Sequence, residues 1–511
     1  MFNFPRKETL FLLIKSLTKS EKRFFYLYSS IQKGDKIYLS LFHIYEKQKS
    51  PEMVKTLFLK EHPQSSFEMA AKHLYKVLME CLLKLRESRD VQATLCNMVL
   101  KADILFEREL WENAFHELNK AKQLAINFEN HIILLLIQRT ELKFFSMMEF
   151  RQVNEKKLVA KQMKLLETMK HLRITNQHIQ LYDIMKYRII HHENIRSEKQ
   201  EMMMNDLVLS ELHLVANNTY VGFEPQKIHL LFQATYYLHS GNYKSAIRYY
   251  KELIALFEKN TPLMLNPPIY YFTSVIGVLD SLSIAGLFNE IPYFISKLQE
   301  LEDKNHPLEF TLNVQAQRFI YESCCLLQTG NIAKTLGLIE LYEDDLLRKI
   351  SSLGYDIQLR LLLQLTIIYF SNGDLFQARK IMKRILDQGK LFCSLPVYKV
   401  ARLINLLLQA ELKNYDFFLS EINSMKRSMR YEKQNYQIEK LIFKFVQSYP
   451  LPLYKSSRLL LWKQFEKRII AIKESKYESQ LLKIFNFPAW IESKVLKKDF
   501  GEVLVVNSTT I

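Results

Sequence analysis

Glycine and proline are scarce in this chain, 11 and 13 among 511 residues, about half or less of ordinary usage. So few breakers exclude a loop-rich chain and suit long helices. Cysteine is also sparse. Cys81, Cys96, Cys324, Cys325 and Cys393 form an odd, scattered set with no C-x-x-C pair, which excludes a disulfide framework and reads as buried reduced thiols in a cytoplasmic protein. The longest apolar run, Ile132 to Ile137, is six residues, against the roughly 20 that cross a bilayer. Near the start, the run Leu10 to Ile14 is broken by Lys15 and followed by further charge. No small-residue cleavage site follows, so we read no signal peptide. Neither G-x-x-x-x-G-K-[ST] nor G-x-G-x-x-G occurs, and G-x-S-x-G and H-E-x-x-H are missing as well. Without those phosphate cradles, nucleophile elbows and metal helices, the expectation is a protein that is not an enzyme and carries no cofactor.

What the chain does have is apolar residues, 48% of the total, and charge, 24%. At this length a single core is excluded, which leaves several domains or one array growing by layers. The net charge of +17 is unevenly placed. Residues 1–90 carry +7 and residues 426–498 carry +11, whereas residues 91–425 are nearly neutral. Basicity therefore belongs to the two ends.

The first ninety residues carry helix-start signals. Thr18-Lys-Ser-Glu21 and Ser65-Ser-Phe-Glu68 fit the capping box, in which hydroxyl and carboxylate satisfy orphan amides reciprocally. Ser50-Pro51-Glu52 places proline where its missing N–H costs nothing and glutamate at the positive helix end. These signals predict helices over residues 8–17, 19–31, 37–48, 51–60 and 66–88.

From about residue 91 the sequence becomes self-similar. The clearest unit is LLFQATYYLHSGNYKSAIRYYKELIALF, with small Ala234 and Tyr237 on a first helix, a turn at Gly241, then Tyr243, Ala246, Tyr250 and Leu253. Gly241 permits a tight turn and Ala246 lets two helices approach closely. This unit resembles a tetratricopeptide repeat. IIYFSNGDLFQARKIMKRIL repeats it with Gly373, Leu375, Ala378 and Met382. Weaker copies surround Gly330 and Gly286, and a fifth keeps Tyr415 but has Lys413 at the turn. The turns at 241, 286, 330, 373 and 413 are 45, 44, 43 and 40 residues apart. An earlier unit with Trp111, Ala114, Leu118 and Ala121 has Glu109 at the turn, and its offset of 132 predicts two degenerate helix pairs over residues 130–225. Residues 216–227 and 260–271 have the composition of longer loops. Tetratricopeptide units are 34 residues long, so a period of 40–45 implies longer helices or links. The LIKSLTKSEKRFF opening is similar to that of uncharacterised bacterial proteins of tetratricopeptide-like type, which implies no function.

The resemblance implies a concave groove lined by the first helix of each pair. In phase, that row offers Leu231, Thr235, Leu238 and His239; Ile320, Cys324, Leu327 and Gln328; and Arg360, Leu363, Ile367 and Phe370. The row is mostly apolar, which disfavours a carboxylate clamp. It suits an amphipathic helix or apolar segment of a protein partner, unless the array fills the groove itself. The basic ends supply a second candidate surface for nucleic acid. Its residues are Lys15, Lys19, Lys22 and Arg23 beside the aromatics Phe24, Phe25 and Tyr26, and Arg458, Lys463, Lys467, Arg468 and Lys473 on a C-terminal helix. No convincing recognition helix is present, and aromatics at helical spacing read as core. The C-terminal cations also suit a solvated face, an acidic partner, RNA or anionic membrane. His191-His192 with Glu193, and His171 with His178, are conceivable metal ligands. Adjacent helical residues point about 100° apart, and no fourth ligand is in view, so no metal is assigned. Met202-Met203-Met204 reads as helical packing, with an adaptable binding surface as the alternative.

The expected architecture is a right-handed all-α solenoid of long tetratricopeptide-like pairs. It comprises a basic helical domain over 1–90, the array over 91–425, a basic helical cap over 426–498 and a β-prone or disordered tail over 499–511. The expected function is a scaffold or adaptor for protein partners. A nucleic-acid-associated or transcription-regulatory role through the basic ends is the alternative.

Overall fold

The computed structural model describes residues 7–31, 36–48, 51–87, 90–151, 153–191, 198–217, 222–264, 267–302, 307–392, 395–431, 437–474, 482 and 484–508. The fold is all helical, with no strand among the described residues. It divides into two compact units, one of residues 1–175 with 307–309 and one of the remainder.

In the first unit the helices are α1 (Lys7–Ser16), α2 (Lys19–Ile31), α3 (Ile37–Lys47), α4 (Glu52–Glu61), α5 (Phe67–Glu87), α6 (Val91–Glu107), α7 (Trp111–Asn127), α8 (His131–Met147) and the start of α9 (Glu155–His191). The second unit continues α9. It adds α10 (Glu198–Asn217), α11 (Phe223–Ser240), α12 (Tyr243–Lys259), α13 (Thr261–Met264), α14 (Ile269–Ile284), α15 (Ile291–Glu300) and α16 (Leu308–Gln328). These are followed by α17 (Lys334–Tyr342), α18 (Tyr355–Ser371), α19 (Leu375–Asp387), α20 (Gly389–Phe392), α21 (Pro396–Glu411) and α22 (Tyr415–Tyr431). The described helices end with α23 (Gln437–Val446), α24 (Lys455–Glu474), α25 (Phe487–Leu496) and α26 (Phe500–Ser508).

Within each unit a helix packs chiefly on the next one or two in sequence, as α6 does on α7 and α8, α11 on α12 and α14, and α18 on α19 and α21. The connections explain why. Gly241, Gly286, Gly330 and Gly373 all take positive φ, and so do Glu109 and Lys413, which occupy the same place in their units. At each turn the following amide reaches back five residues: Leu110 to Leu105, Asn242 to Tyr237, Leu287 to Leu282, Asn331 to Leu326, Asp374 to Tyr369 and Asn414 to Gln409, all between 2.8 and 3.0 Å. This left-handed ending satisfies carbonyls that a helix end leaves open. In two of these turns the next side chain starts the following helix at once, Asn242 accepting from the Ser245 amide and Asp374 from the Gln377 amide.

The small residues expected to bring helices together are fully buried: Ala114, Ala121, Ala234, Ala246 and Ala378. Tyr250 and Leu253 fill the space beside them. At the N-terminal end all five expected helices are present within a residue or two of their expected bounds. The Thr18 box closes both ways, with the Thr18 amide donating to Glu21 at 2.7 Å and the Glu21 amide to Thr18 Oγ1 at 3.2 Å. The second box is shifted: Ser66, not Ser65, accepts from the Met69 amide, because the helix starts at Phe67. Ser50 lies outside the described residues. Phe25 is buried in the core of this region, with Phe24 and Tyr26 packed against it.

Three expectations are corrected. Residues 130–217 do not form two helix pairs; they form α8, a 37-residue α9 and α10. Left-handed residues Glu129, Glu149 and Phe150 delimit α8, and no turn residue divides α9. Second, α11 begins at Phe223 and α13 occupies Thr261–Met264, so the two expected loops are partly helical. Third, the expected β-prone or disordered tail is helical over Phe500–Ser508. Asp499 caps it by accepting from the Glu502 amide at 3.1 Å, and Val503 and Leu504 are buried. The β preference of the valines yields to that packing.

A lysine held left-handed is strained where glycine is not. Lys413→Gly should raise the urea midpoint by the equivalent of about 0.5–1 kcal/mol, and Gly373→Val should lower it by about 1–2 kcal/mol. Equilibrium denaturation followed by helical circular dichroism reads both, and a K413G midpoint at or below the parent's would contradict the strain.

Candidate interaction surfaces

The row expected to line an open groove is largely interior. Leu231, Thr235, Leu363, Ile367 and Phe370 are buried, while His239, Gln328 and Arg360 are half-buried. Several have an internal engagement or a packed surrounding. Leu231 belongs to the core shared by α11, α12 and α14. Thr235 is buried near Tyr182 and Tyr250, lowering both phenols against the burial that raises them. Arg360 interacts electrostatically with Tyr321 and Asp280, and the Tyr321 hydroxyl donates to Asp280 Oδ1 at 2.9 Å. Burial first, and the Asp280 carboxylate second, push the Tyr321 phenol well above its usual range. Asp280, Tyr321 and Arg360 stand on α14, α16 and α18, about one repeat apart. A parallel rung joins Gln364 to Ser323 at 2.9 Å. These rungs fix the register of successive first helices from inside.

The chain itself covers the end of this row. The Trp490 ring stacks on Phe370 with centroids 5.5 Å apart, and Phe485 lies 6.1 Å from the same ring. α26 approaches the turn at Gly330 so closely that a Cβ there would stand 2.6 Å from Val505 Cγ2 and 3.1 Å from the Gly501 carbonyl. This stretch of the row is therefore covered by the chain itself. Sequence periodicity located the row but could not show that residues 485–505 return to cover it.

The basic residues divide into engaged and unengaged cations. Lys15 donates to the Glu46 carbonyl at 2.8 Å, and Lys22 pairs with the Glu46 carboxylate at 2.9 Å. The Lys22 hydrogen bond holds the Glu46 carboxyl below its ordinary range. Burial, then Glu46, pushes Tyr26 up to about 12. Lys19 and Arg23 are exposed. At the other end Arg458 donates to the carbonyls of Pro452 and Lys494. Lys463, Lys467 and Arg468 are exposed, and no carboxylate among the described residues pairs with them. The side chain of Lys473 lies outside the described residues.

The candidate histidines separate. His171 stacks on His131, with centroids 5.6 Å apart. His178, seven residues on, is buried beside Glu211, which is itself fully enclosed. His229 Nδ1 lies 2.5 Å and His178 Nδ1 3.8 Å from Glu211 Oε1, and Gln233 donates to Oε2 at 2.8 Å. Among the described residues no group of three or more His, Cys, Asp or Glu is arranged to hold a metal. The side chain of His191, together with His192 and Glu193, lies outside the described residues. Met204 is buried, whereas Met202 and Met203 are exposed. Cys81 is buried and its thiol is pushed up to about 11 by that burial. Cys96 is exposed, against the expectation of buried thiols, and Cys393 lies outside the described residues.

One surface was missed by sequence reasoning. The seam of α9 turned inward in the first unit is Leu158, Lys161, Leu165, Thr168 and Leu172. On its opposite face Val159, Met163 and Leu166 are all exposed, Met163 at 58%. Their i, i+4, i+7 spacing is a legible signal, but apolar residues on both sides blur it. Among the described residues no helix is long and apolar enough to cross a membrane. The chain matches no protein-family model, and no curated protein or solved structure matches it.

Desolvation lowers the His178 imidazole below its ordinary range, against the opposing pull of Glu211. The unfolded chain then binds a proton that the folded one refuses, so stability is lost as pH falls through about 6.5. The urea midpoint should drop between about pH 7 and pH 5, and His178→Gln should flatten that dependence. An unchanged slope in H178Q would assign the pH effect elsewhere.

Proposed function

We propose that the protein is a non-enzymatic cytoplasmic scaffold or adaptor, a right-handed tetratricopeptide-like solenoid that binds protein partners. The observation that carries this reading is the apolar stripe of Val159, Met163 and Leu166, exposed on the helix face opposite the packed seam. A folded chain gains nothing from keeping such a stripe in water, whereas an amphipathic helix of a partner would bury it. Support for the architecture comes from the left-handed turns recurring at residues 241, 286, 330, 373 and 413 and from buried alanines at matching offsets. This reading puts the interaction surface on outward helix faces. The row that includes Leu363 and Phe370 has its apolar side chains inside.

Met163→Glu with Leu166→Glu should remove co-purifying partners while helical content and the denaturation midpoint stay close to the parent's. Leu363→Glu should instead destabilise the fold by several kcal/mol, about the cost of burying an unpaired charge. Partners retained by the M163E/L166E protein would move binding away from α9.

Exposed Lys19 and Arg23 support a second reading, in which the basic ends associate with nucleic acid. Retention on DNA or RNA should then weaken steeply with salt and disappear in K19E/R23E. No retention at low salt would end that reading.

A further inference from the structure

The outward face of α24 combines two properties that neither a solvated cap nor a phosphate-binding surface requires together. Phe465, Ile469 and Ile472 anchor one side of the helix in the core. On the other side Leu460, Lys463, Lys467 and Ile470 follow one another at i, i+3, i+7 and i+10. Leu460 is 65% and Ile470 51% exposed, and they stand about 15 Å apart along the axis. Leu459 is exposed beside them. Immediately before the helix, Leu453 and Tyr454 are 83% and 79% exposed. The cations Lys455, Lys463, Lys467 and Arg468 are interleaved with these side chains, and Glu466 is the one acid among the described side chains of the helix.

We propose that this face docks peripherally on an anionic lipid surface. Large aliphatic side chains beside unpaired lysines match the boundary between headgroups and acyl chains, where Leu and Ile enter the hydrocarbon edge and lysine stems reach back to the phosphates. The charge has the complementary sign, and several cations within one helix face add their attraction to an anionic leaflet. Nucleic-acid phosphates would use the same cations but leave Leu453, Leu460 and Ile470 without a role. α24 lies along the surface and does not span it, consistent with its length and charge.

Sedimentation of the full chain with vesicles tests the assignment. Vesicles of phosphatidylcholine alone and of phosphatidylcholine with phosphatidylglycerol are compared at low and raised salt. Three proteins are used: the parent, Leu460→Ser with Ile470→Ser, and Lys463→Glu with Lys467→Glu. Circular dichroism controls for folding, and all four positions are exposed. The parent should bind the anionic vesicles roughly tenfold better than the neutral ones and lose part of that binding in salt. Both double variants should bind several-fold more weakly than the parent. Equal binding to neutral vesicles, or none to anionic ones, would overturn the proposal. So would full binding by L460S/I470S, because contact through charge alone leaves the apolar residues idle. Retention of all but the lysine variant on DNA, with no vesicle binding, would assign the face to nucleic acid instead.

Discussion

The left-handed residue that ends a helix and hands the chain to the next is the constraint on which the rest of this fold depends. Where Gly241 or Gly373 reverses the backbone, the turn amides close carbonyl groups at the end of the outgoing helix, Tyr237 at one turn and Tyr369 with Phe370 at the other, and the following Asn or Asp opens the next helix. A connection of two or three residues leaves the second helix no choice but to lie beside the first. Small residues buried between the helices, such as Ala234 and Ala246 in one core and Ala378 in another, then set how near the axes come. Glu109 and Lys413 adopt the same conformation with side chains that disfavour it. Packing of the flanking helices over-determines the turn there.

Once hairpins are stacked, their shared interior must be satisfied as well as filled. The Tyr321–Asp280 and Gln364–Ser323 hydrogen bonds link helices that follow one another along the second unit. A shift of one helix by a single residue would break these bonds, and a buried polar group left unsatisfied costs about 1–3 kcal/mol. The first-helix row therefore works as a core with polar rungs. Its apolar character, read along the sequence as a binding surface, is what burial requires, and Phe485, Trp490 and Val505 complete the cover.

Charge follows a different logic. The two basic ends look alike in composition, yet Glu46 engages Lys15 and Lys22 at one end, whereas Lys463, Lys467 and Arg468 at the other face solvent beside exposed Leu and Ile. Net charge is a property of composition, and availability of charge depends on which carboxylate the fold brings near. The buried Glu211 with His178 and His229 makes the same point in reverse. Its members come from three helices, and only His178 attracted notice in the sequence.

By itself the sequence determined the helical class, the N-terminal helices with the Thr18 capping box, the turn positions at 109, 241, 286, 330, 373 and 413, and the buried alanines. All of these follow from short-range rules, helical periodicity and the need for φ above zero at a tight turn. Tertiary structure alone decided that α9 runs unbroken for 37 residues, that Phe500–Ser508 is helical, and that Leu363 and Phe370 are core while Met163 and Leu460 face water. An apolar side chain has the same tendency wherever it stands in the chain. Whether it is covered depends on which distant helix reaches it, and no local pattern carries that distance.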